Sequence, residues 1–363
     1  MKTLREVGNL KDKKVLFRAD FDVPVSDKGQ IEESFRIKKQ KETLDYLVGQ
    51  GAKVVMVAHI SDESVGQSFS SLLPQLHILL GYEISFIKNV SEIGSYLENY
   101  AGPALLENVR QFPGEKENDL EFAKQLASGF DIYVNNAFAV CHRDHASVSG
   151  VTKFLPSYAG LVIEEEVARL SEVANSPKEG KIIVMGGAKA ETKVPVIKNF
   201  IDKAEKILLG GVVAHDFFKK KGMDIGNSVF DENYDQLLAG LDVNDPKLVM
   251  ADDYNIFENR ILDLGPESIK RYVGLVKEAK TIIWNGPMGM FEDERFIEGT
   301  KAIAQAIADS NALKIVGGGD TIAAIDKFGL EGKFDFVSTG GGAMLAFLAG
   351  EKMPGLEALG YYD

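Results

Sequence analysis

The sequence predicts an α/β protein built from two doubly wound, Rossmann-like parallel-sheet domains that are joined by a helix. The chain has 363 residues, a length that suits about two domains. Short apolar runs rich in β-branched residues alternate with longer amphipathic runs, which is typical of parallel sheets covered by helices. The glycines are unevenly spread, with 13 of the 36 in residues 1–180 and 23 in residues 181–363. We therefore expect the two halves to do different chemistry.

The apolar runs that we expect to form the two sheets follow one another along each half. In the first half they are residues 13–20, 52–59, 83–90, 103–110 and 131–138. In the second half they are residues 181–187, 206–212, 247–253, 281–287, 313–319 and 334–342. Helical spacing of apolar residues fits between them, for example at 36–50, 118–128, 191–204, 267–279 and 300–309.

The segment at residues 158–180 separates the two halves. Its apolar residues have helical spacing, and the run ends in Asn-Ser-Pro before the next strand. We therefore predict an interdomain helix at 158–176, between a first domain at 1–157 and a second domain at 177–349.

Composition and charge narrow the classes of function. Hydrophobic residues make up 45% of the chain, as is usual for a globular protein. The net charge of −13 argues against general binding of nucleic acids or anionic membranes. The single cysteine, Cys141, excludes an intramolecular disulfide and fits a reducing compartment. No apolar run reaches the length of a membrane span, and the first residues do not have the pattern of a signal peptide. We expect a cytoplasmic protein.

Basic residues follow the predicted strands of the first half, where the ligands of open α/β sheets bind. They are Arg18, His59, Arg110 and Arg143, with Asp20 beside Arg18 and Arg36 at the start of the first helix. Guanidinium groups bind carboxylate or phosphate oxygens in pairs, so the set predicts a site for a small, multiply charged acid. The alternative is that these arginines are solvated or pair with nearby carboxylates.

The segment CHRDHAS at 141–147 allows two further hypotheses. Cys141 and His142 could be a nucleophile and its base, but adjacent residues of an extended chain point apart, which favours a packed cysteine. His142 and His145 could be metal ligands, but no third ligand accompanies them at a suitable spacing.

Glycines end most strands of the second half, as in MGGAK, LLGGVV, WNGPMG, IVGGGD and STGGGA. Glycine lets backbone N–H groups approach a phosphate, so these turns indicate a nucleotide site, although single glycines also cap strands or allow close packing. Neither GxxxxGK[ST] nor GxGxxG after a strand occurs. Lys189 and Lys193 lie one helical turn apart, Asp320 could hold Mg²⁺, and Glu292 could accept ribose hydroxyls. An acid-binding half and a nucleotide-binding half together suggest phosphoryl transfer.

These motifs resemble those of the phosphoglycerate kinase family over essentially the whole chain. The matching segments are RADFDVP (18–24), LLENVRQFPGE (105–115), VNNAFAVCHRDHAS (134–147), GGAK (186–189), WNGPMGMFE (284–292), IVGGGDT (315–321) and STGGGA (338–343). The resemblance implies a hinge-bending monomer that transfers the acyl phosphate of 1,3-bisphosphoglycerate to Mg-ADP, reversibly, in glycolysis and gluconeogenesis. It implies that the first domain binds phosphoglycerate, that the second binds nucleotide, and that residues 350–363 return to the first domain.

The resemblance also implies roles for individual residues. The implied catalytic residues are Arg36 and Lys193, and the implied metal ligand is Asp320. The implied substrate-binding residues are Asp20, Phe21, Asp22, Arg36, His59, Ile60, Ser61, Asp62, Arg110 and Arg143. The implied nucleotide-binding residues are Lys189, Lys193, Gly210, Gly211, Asn285, Pro287, Glu292, Gly318, Gly319, Asp320 and Thr321.

The chain departs from the family pattern at several positions. Asp22 stands where the family has Asn, Asn136 where it has Asp, and Ile60-Ser61-Asp62-Glu63 replaces Leu-Gly-Arg-Pro, so that one substrate arginine is absent. Thr192 and Val212 replace an Asp and a Gly. We hypothesise that Asp22 and Asn136 are neighbours that have exchanged roles. A degenerate member that binds nucleotide as a regulatory or scaffold protein, or a kinase for a different small acid, stays an alternative.

Overall fold

The computed structural model describes residues 1–61 and 67–363. The contacts divide the chain into two compact units, one made of Met1–Val167 with Lys352–Asp363 and the other of Ala168–Glu351. The last residues belong to the first unit, where the Gly355 amide donates to the Cys141 carbonyl at 2.8 Å.

A six-stranded sheet with the order β3-β4-β2-β1-β5-β6 forms the centre of the first unit, and every neighbouring pair is parallel. Its strands are β1 (Lys14–Arg18), β2 (Lys53–Val57), β3 (Ser85–Ile87), β4 (Ala104–Leu106), β5 (Ile132–Asn135) and β6 (Ser157–Ala159). The helices of this unit are α1 (Phe35–Gly49), α2 (Leu73–Leu80), α3 (Ile93–Glu98) and α4 (Leu120–Ala127). The helix α5 (Leu161–Asn175) begins in this unit, and its residues from Ala168 onward belong to the second unit. Short 3₁₀ turns lie at Leu4–Glu6, Val90–Glu92, Val109–Gln111, Phe138–Val140 and Gly150–Lys153.

Both faces of this sheet are covered, which explains why its strands read as continuous apolar runs. Phe17 and Met56 pack into the core cluster on one face, and Leu16 and Val55 into the cluster on the other. The helix that we predicted at 158–176 begins only at Leu161, because residues 157–159 pair with β5 as an edge strand.

The second unit contains another six-stranded parallel sheet, with the order β14-β13-β12-β7-β8-β9. Its strands are β7 (Lys181–Met185), β8 (Lys206–Leu209), β9 (Leu248–Val249), β12 (Thr281–Asn285), β13 (Leu313–Gly317) and β14 (Phe336–Ser338). A separate antiparallel hairpin consists of β10 (Tyr254–Phe257) and β11 (Arg260–Leu264). The helices are α6 (Ala190–Phe200), α7 (Gly211–Lys220), α8 (Tyr234–Leu237), α9 (Pro266–Lys277), α10 (Glu298–Asp309), α11 (Gly319–Lys327) and α12 (Gly341–Ala349), with a 3₁₀ turn at Glu294–Phe296. A last short helix, α13 (Pro354–Glu357), lies in the C-terminal segment that belongs to the first unit.

The predicted strand at 247–253 is much shorter in the structure. Only Leu248–Val249 pairs with β8, because Asp253 turns to accept the Ser268 amide at the start of α9, at 2.8 Å. The sequence analysis missed the hairpin that follows. Its turn has positive φ values at Glu258 (49°) and Asn259 (59°), as tight hairpin turns require.

Among the described residues, no helix is both long and apolar enough to cross a membrane.

Candidate active site

Three basic side chains of the first unit lie at the carboxyl ends of neighbouring strands. Arg18 ends β1 and is only 1% exposed, and His59 and Arg110 follow β2 and β4. The Arg18 guanidinium donates to Ser147 Oγ (3.0 Å) and to His59 Nδ1 (3.1 Å). Because the strands are parallel, residues far apart in sequence meet at this edge of the sheet.

His59 connects Arg18 to a carboxylate. Its Nε2 lies 3.1 Å from Asp22 Oδ2, and burial lowers the pKa of the imidazole to about 3. The ring is therefore neutral at neutral pH, with the proton on Nε2, since Nδ1 accepts from Arg18. The His59–Asp22 contact is a hydrogen bond between a neutral donor and a carboxylate.

Asp20 and Asp22 lie side by side but have different electrostatic environments. Burial raises the pKa of Asp20, whose Oδ2 is buried with no hydrogen-bond partner among the described residues. Burial would also raise the pKa of Asp22, but hydrogen bonds from His59 and from the Ser61 amide (2.8 Å) outweigh it and hold this pKa well below its usual range. Arg36 donates to the Asp22 carbonyl at 2.8 Å.

Arg110 has an unused hydrogen-bonding group. Its Nη1 donates to Ser61 Oγ at 2.5 Å, whereas its Nη2 is buried with no acceptor among residues 1–61 and 67–363. Burial, together with the charge of Arg143, lowers the pKa of Arg110 to about 10. Arg143 itself is exposed. A buried guanidinium nitrogen without an acceptor is what a site for an anion would contain.

The remaining predicted substrate residues differ in what they can offer. The side chains of Phe21 and Ile60 are buried in the core, so only their backbone atoms could meet a ligand. Asp62 and Glu63 lie outside the described residues. The sequence analysis missed Glu115, which is fully buried and accepts from the Ser147 amide (2.9 Å) and hydroxyl (2.7 Å). It thereby holds the hydroxyl that Arg18 contacts. Glu115 ends the family-like segment at 105–115, but nothing in that segment indicates that its side chain reaches the site.

The other chemistry considered for residues 141–147 has little support. Cys141 is buried, and burial raises the pKa of its thiol far above the usual range, so that it remains unreactive. Its Sγ lies 3.6 Å from the Ala137 carbonyl. The described part of the chain contains no group of three His, Cys, Asp or Glu residues that could hold a metal ion.

In the second unit, glycine-rich turns pack backbone against backbone at the carboxyl ends of the strands. A Cβ on Gly211 would lie 2.5 Å from the Gly187 amide nitrogen, and one on Gly341 would lie 2.6 Å from the Gly318 Cα. A Cβ on Gly286 would lie 2.1 Å from the Gly186 carbonyl oxygen. Larger residues would push these turns apart, so the glycines are required for them to converge.

Lys189 and Lys193 begin α6 in different ways. Lys189 is exposed and adopts a left-handed conformation (φ 65°) as the N-cap residue, just outside the helix. Lys193 is 6% exposed, and its Nζ donates to the Ala188 carbonyl at 2.6 Å. Burial and the charge of Lys189 lower the pKa of Lys193 to about 8, against the opposing effect of Asp320. The expectation that both lysines occupy one helical turn is thus wrong for Lys189.

A cavity of about 300 Å³ opens beside these turns. Five residues of the predicted nucleotide set line it, namely Gly210, Gly211, Pro287, Glu292 and Asp320, together with Gly187. Lys189, Lys193, Asn285, Gly318, Gly319 and Thr321 of that set do not line it. Its walls include the apolar side chains of Phe218, Leu262 and Met288, which the sequence analysis did not single out because no motif marks them. An apolar cavity with a few polar groups is the usual form of a small-molecule site.

Asn285 and Thr321 hold the turns in place. The Asn285 amide donates to the Gly317 carbonyl (2.7 Å), and Thr321 Oγ1 accepts from the Gly286 amide (2.7 Å). Both side chains are buried. Gly318 and Gly319 begin α11, and Asp320 follows them with an exposed carboxylate.

A magnesium ion fits the residues around Asp320. Mg²⁺ is usually held by one or two carboxylates together with substrate phosphates and water, rather than by a cage of protein ligands. The carboxylate of Asp320 is a hard oxygen donor on the lining of the cavity, in the first turn of α11.

A family model described as phosphoglycerate kinase matches residues 4–351. The chain belongs to the phosphoglycerate kinase family. The phosphoglycerate kinase of Prochlorococcus marinus strain MIT 9312 is 39% identical over 388 aligned residues, which cover 97% of this chain and 96% of that protein. That of Trichodesmium erythraeum strain IMS101 is 40% identical over 385 residues, with 97% and 96% covered.

Solved structures of the phosphoglycerate kinase family agree with the fold. The structure from Pyrococcus horikoshii OT3 has a TM-score of 0.87 at 31% identity, and that from Coxiella burnetii has 0.83 at 32%. Each comparison covers 99% of this chain and 98% of the other.

Asp22 and Asn136, which both depart from the phosphoglycerate kinase pattern, have different hydrogen-bond partners in the structure. Asn136 accepts from the Thr43 hydroxyl (2.9 Å) and the Val162 amide (3.0 Å), and it donates to Gln40 (2.8 Å). These partners differ from those of Asp22, so the structure does not support the hypothesis that the two residues have exchanged roles.

Proposed function

We propose that the chain catalyses the reversible transfer of the acyl phosphate of 1,3-bisphosphoglycerate to ADP, which gives 3-phosphoglycerate and ATP. One observation carries the proposal within the family: the first unit presents a buried guanidinium nitrogen without an acceptor, and the second presents a cavity lined by glycine turns. An anionic acid and a nucleotide are the two ligands that such sites suit.

The residues of the first unit bind and orient the acid. We assign Arg36, Arg110 and Arg143 to the carboxylate and phosphate oxygens of phosphoglycerate. Neutral His59 keeps Asp22 fixed through Nε2, while Arg18 fixes the imidazole through Nδ1. Ser61 orients Arg110, whose second terminal nitrogen is left for the substrate. Because the arginine that the family has after His59 is absent, fewer positively charged side chains are left to bind the substrate.

The residues of the second unit bind the nucleotide and, with Arg36 of the first unit, the phosphoryl group that is transferred. We assign the base to the apolar cavity, the ribose to Glu292, and the phosphates to Lys189 and the glycine turns. Lys193 and Arg36 supply positive charge around the transferred group, because a loose phosphoryl transition state needs positioning and charge rather than a covalent nucleophile. Asp320 would hold Mg²⁺, which neutralises phosphate charge when bound.

We also infer the setting of the reaction. The enzyme acts as a cytoplasmic monomer, and a hinge-bending motion accompanies the transfer.

A coupled assay of ATP consumption that depends on 3-phosphoglycerate tests the proposal. Lys193→Ala and Arg36→Ala should each lower kcat by about 100-fold or more, since each removes charge from the transition state. Lys198→Ala, an exposed lysine on the same helix as Lys193, serves as the control and should keep wild-type activity. ADP binding without any turnover by the wild-type protein would contradict the proposal.

A further inference from the structure

Two aspartates lie behind the first turn of α6. Asp216, on α7, is fully buried. Its Oδ1 accepts from the Asp231 amide at 2.8 Å, and its Oδ2 is buried with no donor among the described residues. A buried carboxylate oxygen without a donor is costly, so a proton on this oxygen is expected.

Asp231 is the acidic neighbour of this buried oxygen. Burial raises the pKa of Asp216 to about 7. The Asp231 carboxylate adds to this effect, whereas the hydrogen bond from the Asp231 amide opposes it. Two neighbouring carboxyl groups do not both ionise easily. A proton on Asp216 would allow it to donate to the Asp231 carboxylate.

Asp231 connects this pair to the nucleotide site. Its Oδ2 accepts from the amide of Ala190, the first residue of α6, at 3.1 Å. Lys189 precedes Ala190, and Lys193 lies one turn further along the helix. The negative charge of Asp231 also acts on Lys193, whose pKa it raises against the effect of burial.

We propose that Asp216 is a positioning residue, whose protonated carboxyl holds Asp231 against the Ala190 amide and so fixes the start of α6 for the nucleotide phosphates. The proposal rests on the proposed function of the second unit as a nucleotide site. When Asp216 loses its proton, the two carboxylates repel each other, the cap on α6 weakens, and the lysines lose their fixed placement.

The other ionisable groups around the pair behave differently over this pH range. His215, next to Asp216 on α7, donates from Nδ1 to the Val229 carbonyl at 2.7 Å, and burial lowers its pKa, so it remains neutral. On α8, Asp235 is exposed and paired with Lys220 of α7. Lys193 loses its proton only near its pKa of about 8, and Lys189, the N-cap residue before α6, is exposed. Asp263 lines the same cavity, and burial raises its pKa to about 6, so its titration affects the wild type and an Asp216 variant alike. The difference in pH dependence between the two proteins therefore reports on the aspartate pair.

Isothermal titration of Mg-ADP into the wild-type protein, Asp216→Asn and Asp235→Asn tests the proposal. The amide of the Asn variant can donate to Asp231 at every pH, so its ADP affinity should not weaken from about pH 6 to 7.5, whereas the wild-type affinity should weaken about threefold relative to it. Asp235→Asn should behave like the wild type. Equal pH dependence in the wild type and Asp216→Asn would overturn the proposal.

Infrared spectroscopy of the protein gives a second readout that does not require binding. The difference between the spectra of the wild type and Asp216→Asn at about pH 6 should contain the band of a protonated carboxyl, because the amide replaces the proton-bearing group. Other buried carboxyls with raised pKa values, such as Asp20 and Asp263, contribute equally to both spectra. A difference spectrum without this band would overturn the proposal. If ADP binding and the band follow the expectation while ATP consumption with 3-phosphoglycerate is absent, the proposed function fails and the role of Asp216 stands. Absence of ADP binding would overturn both.

Discussion

Replacement of Asp22 by Asn removes a charge but keeps the shape of a side chain that accepts hydrogen bonds from two donors. His59 Nε2 and the Ser61 amide both donate to the Asp22 carboxylate, at 3.1 and 2.8 Å. An amide has one oxygen, so in either orientation its own NH₂ group faces one of these donors. His59 cannot change its tautomer to adapt, because Arg18 donates to its Nδ1.

One unpaired donor costs about 1–3 kcal/mol, so Asp22→Asn should lower the free energy of unfolding by that amount at neutral pH. Urea denaturation measures this difference. The pKa of Asp22 in the folded protein lies well below that of an ordinary aspartate. Its contribution to stability is therefore present above about pH 4 and is lost as the pH falls toward the folded pKa. The gap between the wild type and the variant should shrink in acid.

Asp45→Asn is the matched control, because Asp45 is an exposed aspartate of the same unit that pairs with Lys41 at 2.8 Å. An exposed ion pair contributes little, so this variant should change stability by less than about 1 kcal/mol. If Asp22→Asn is as stable as the wild type at neutral pH, or if its deficit persists unchanged in acid, the account of the Arg18–His59–Asp22 chain is wrong.

Three further predictions concern other parts of the chain. The kcat/KM should fall above about pH 8 as Lys193 of the free enzyme loses its proton, and a pH profile of Lys193→Arg should lack this fall because arginine stays charged; a fall that persists in Lys193→Arg would contradict this prediction. Gly341→Ala should weaken ADP binding about tenfold in a titration, since its Cβ would lie 2.6 Å from the Gly318 Cα, whereas Gly274→Ala, with open space on α9, should bind normally. Cys141 should not react with a thiol reagent in the native protein, and Cys141 labelling at the rate seen in urea would refute its burial.

The sequence predicts the sheets and the residues at the carboxyl ends of their strands well. Each strand that is buried on both faces reads as an apolar run, and Arg18 and His59 lie at or just after the end of such a run. Glycine pairs such as Gly186-Gly187 mark the turns that approach one another, because only glycine allows that approach.

The contacts that complete the sites depend on pairs far apart in sequence. Arg18 and Ser147 are separated by 129 positions, and Glu115 reaches Ser147 over 32. Nothing local to Phe218 or Leu262 shows that they face a cavity rather than the core. The strand β10 is mostly exposed, and β11 is half-buried over its first three residues, so neither reads as the continuous apolar run by which the other strands are found.

Transfer of the labelled γ-phosphate of ATP to 3-phosphoglycerate, followed in a single turnover with Mg²⁺, tests the central claim most directly. The account predicts that the wild type and Lys198→Ala move the label to the acid, and that Lys193→Ala binds ATP but transfers it about 100-fold more slowly. Labelled inorganic phosphate without any labelled acid from the wild type, or an unchanged rate in Lys193→Ala, would contradict the account.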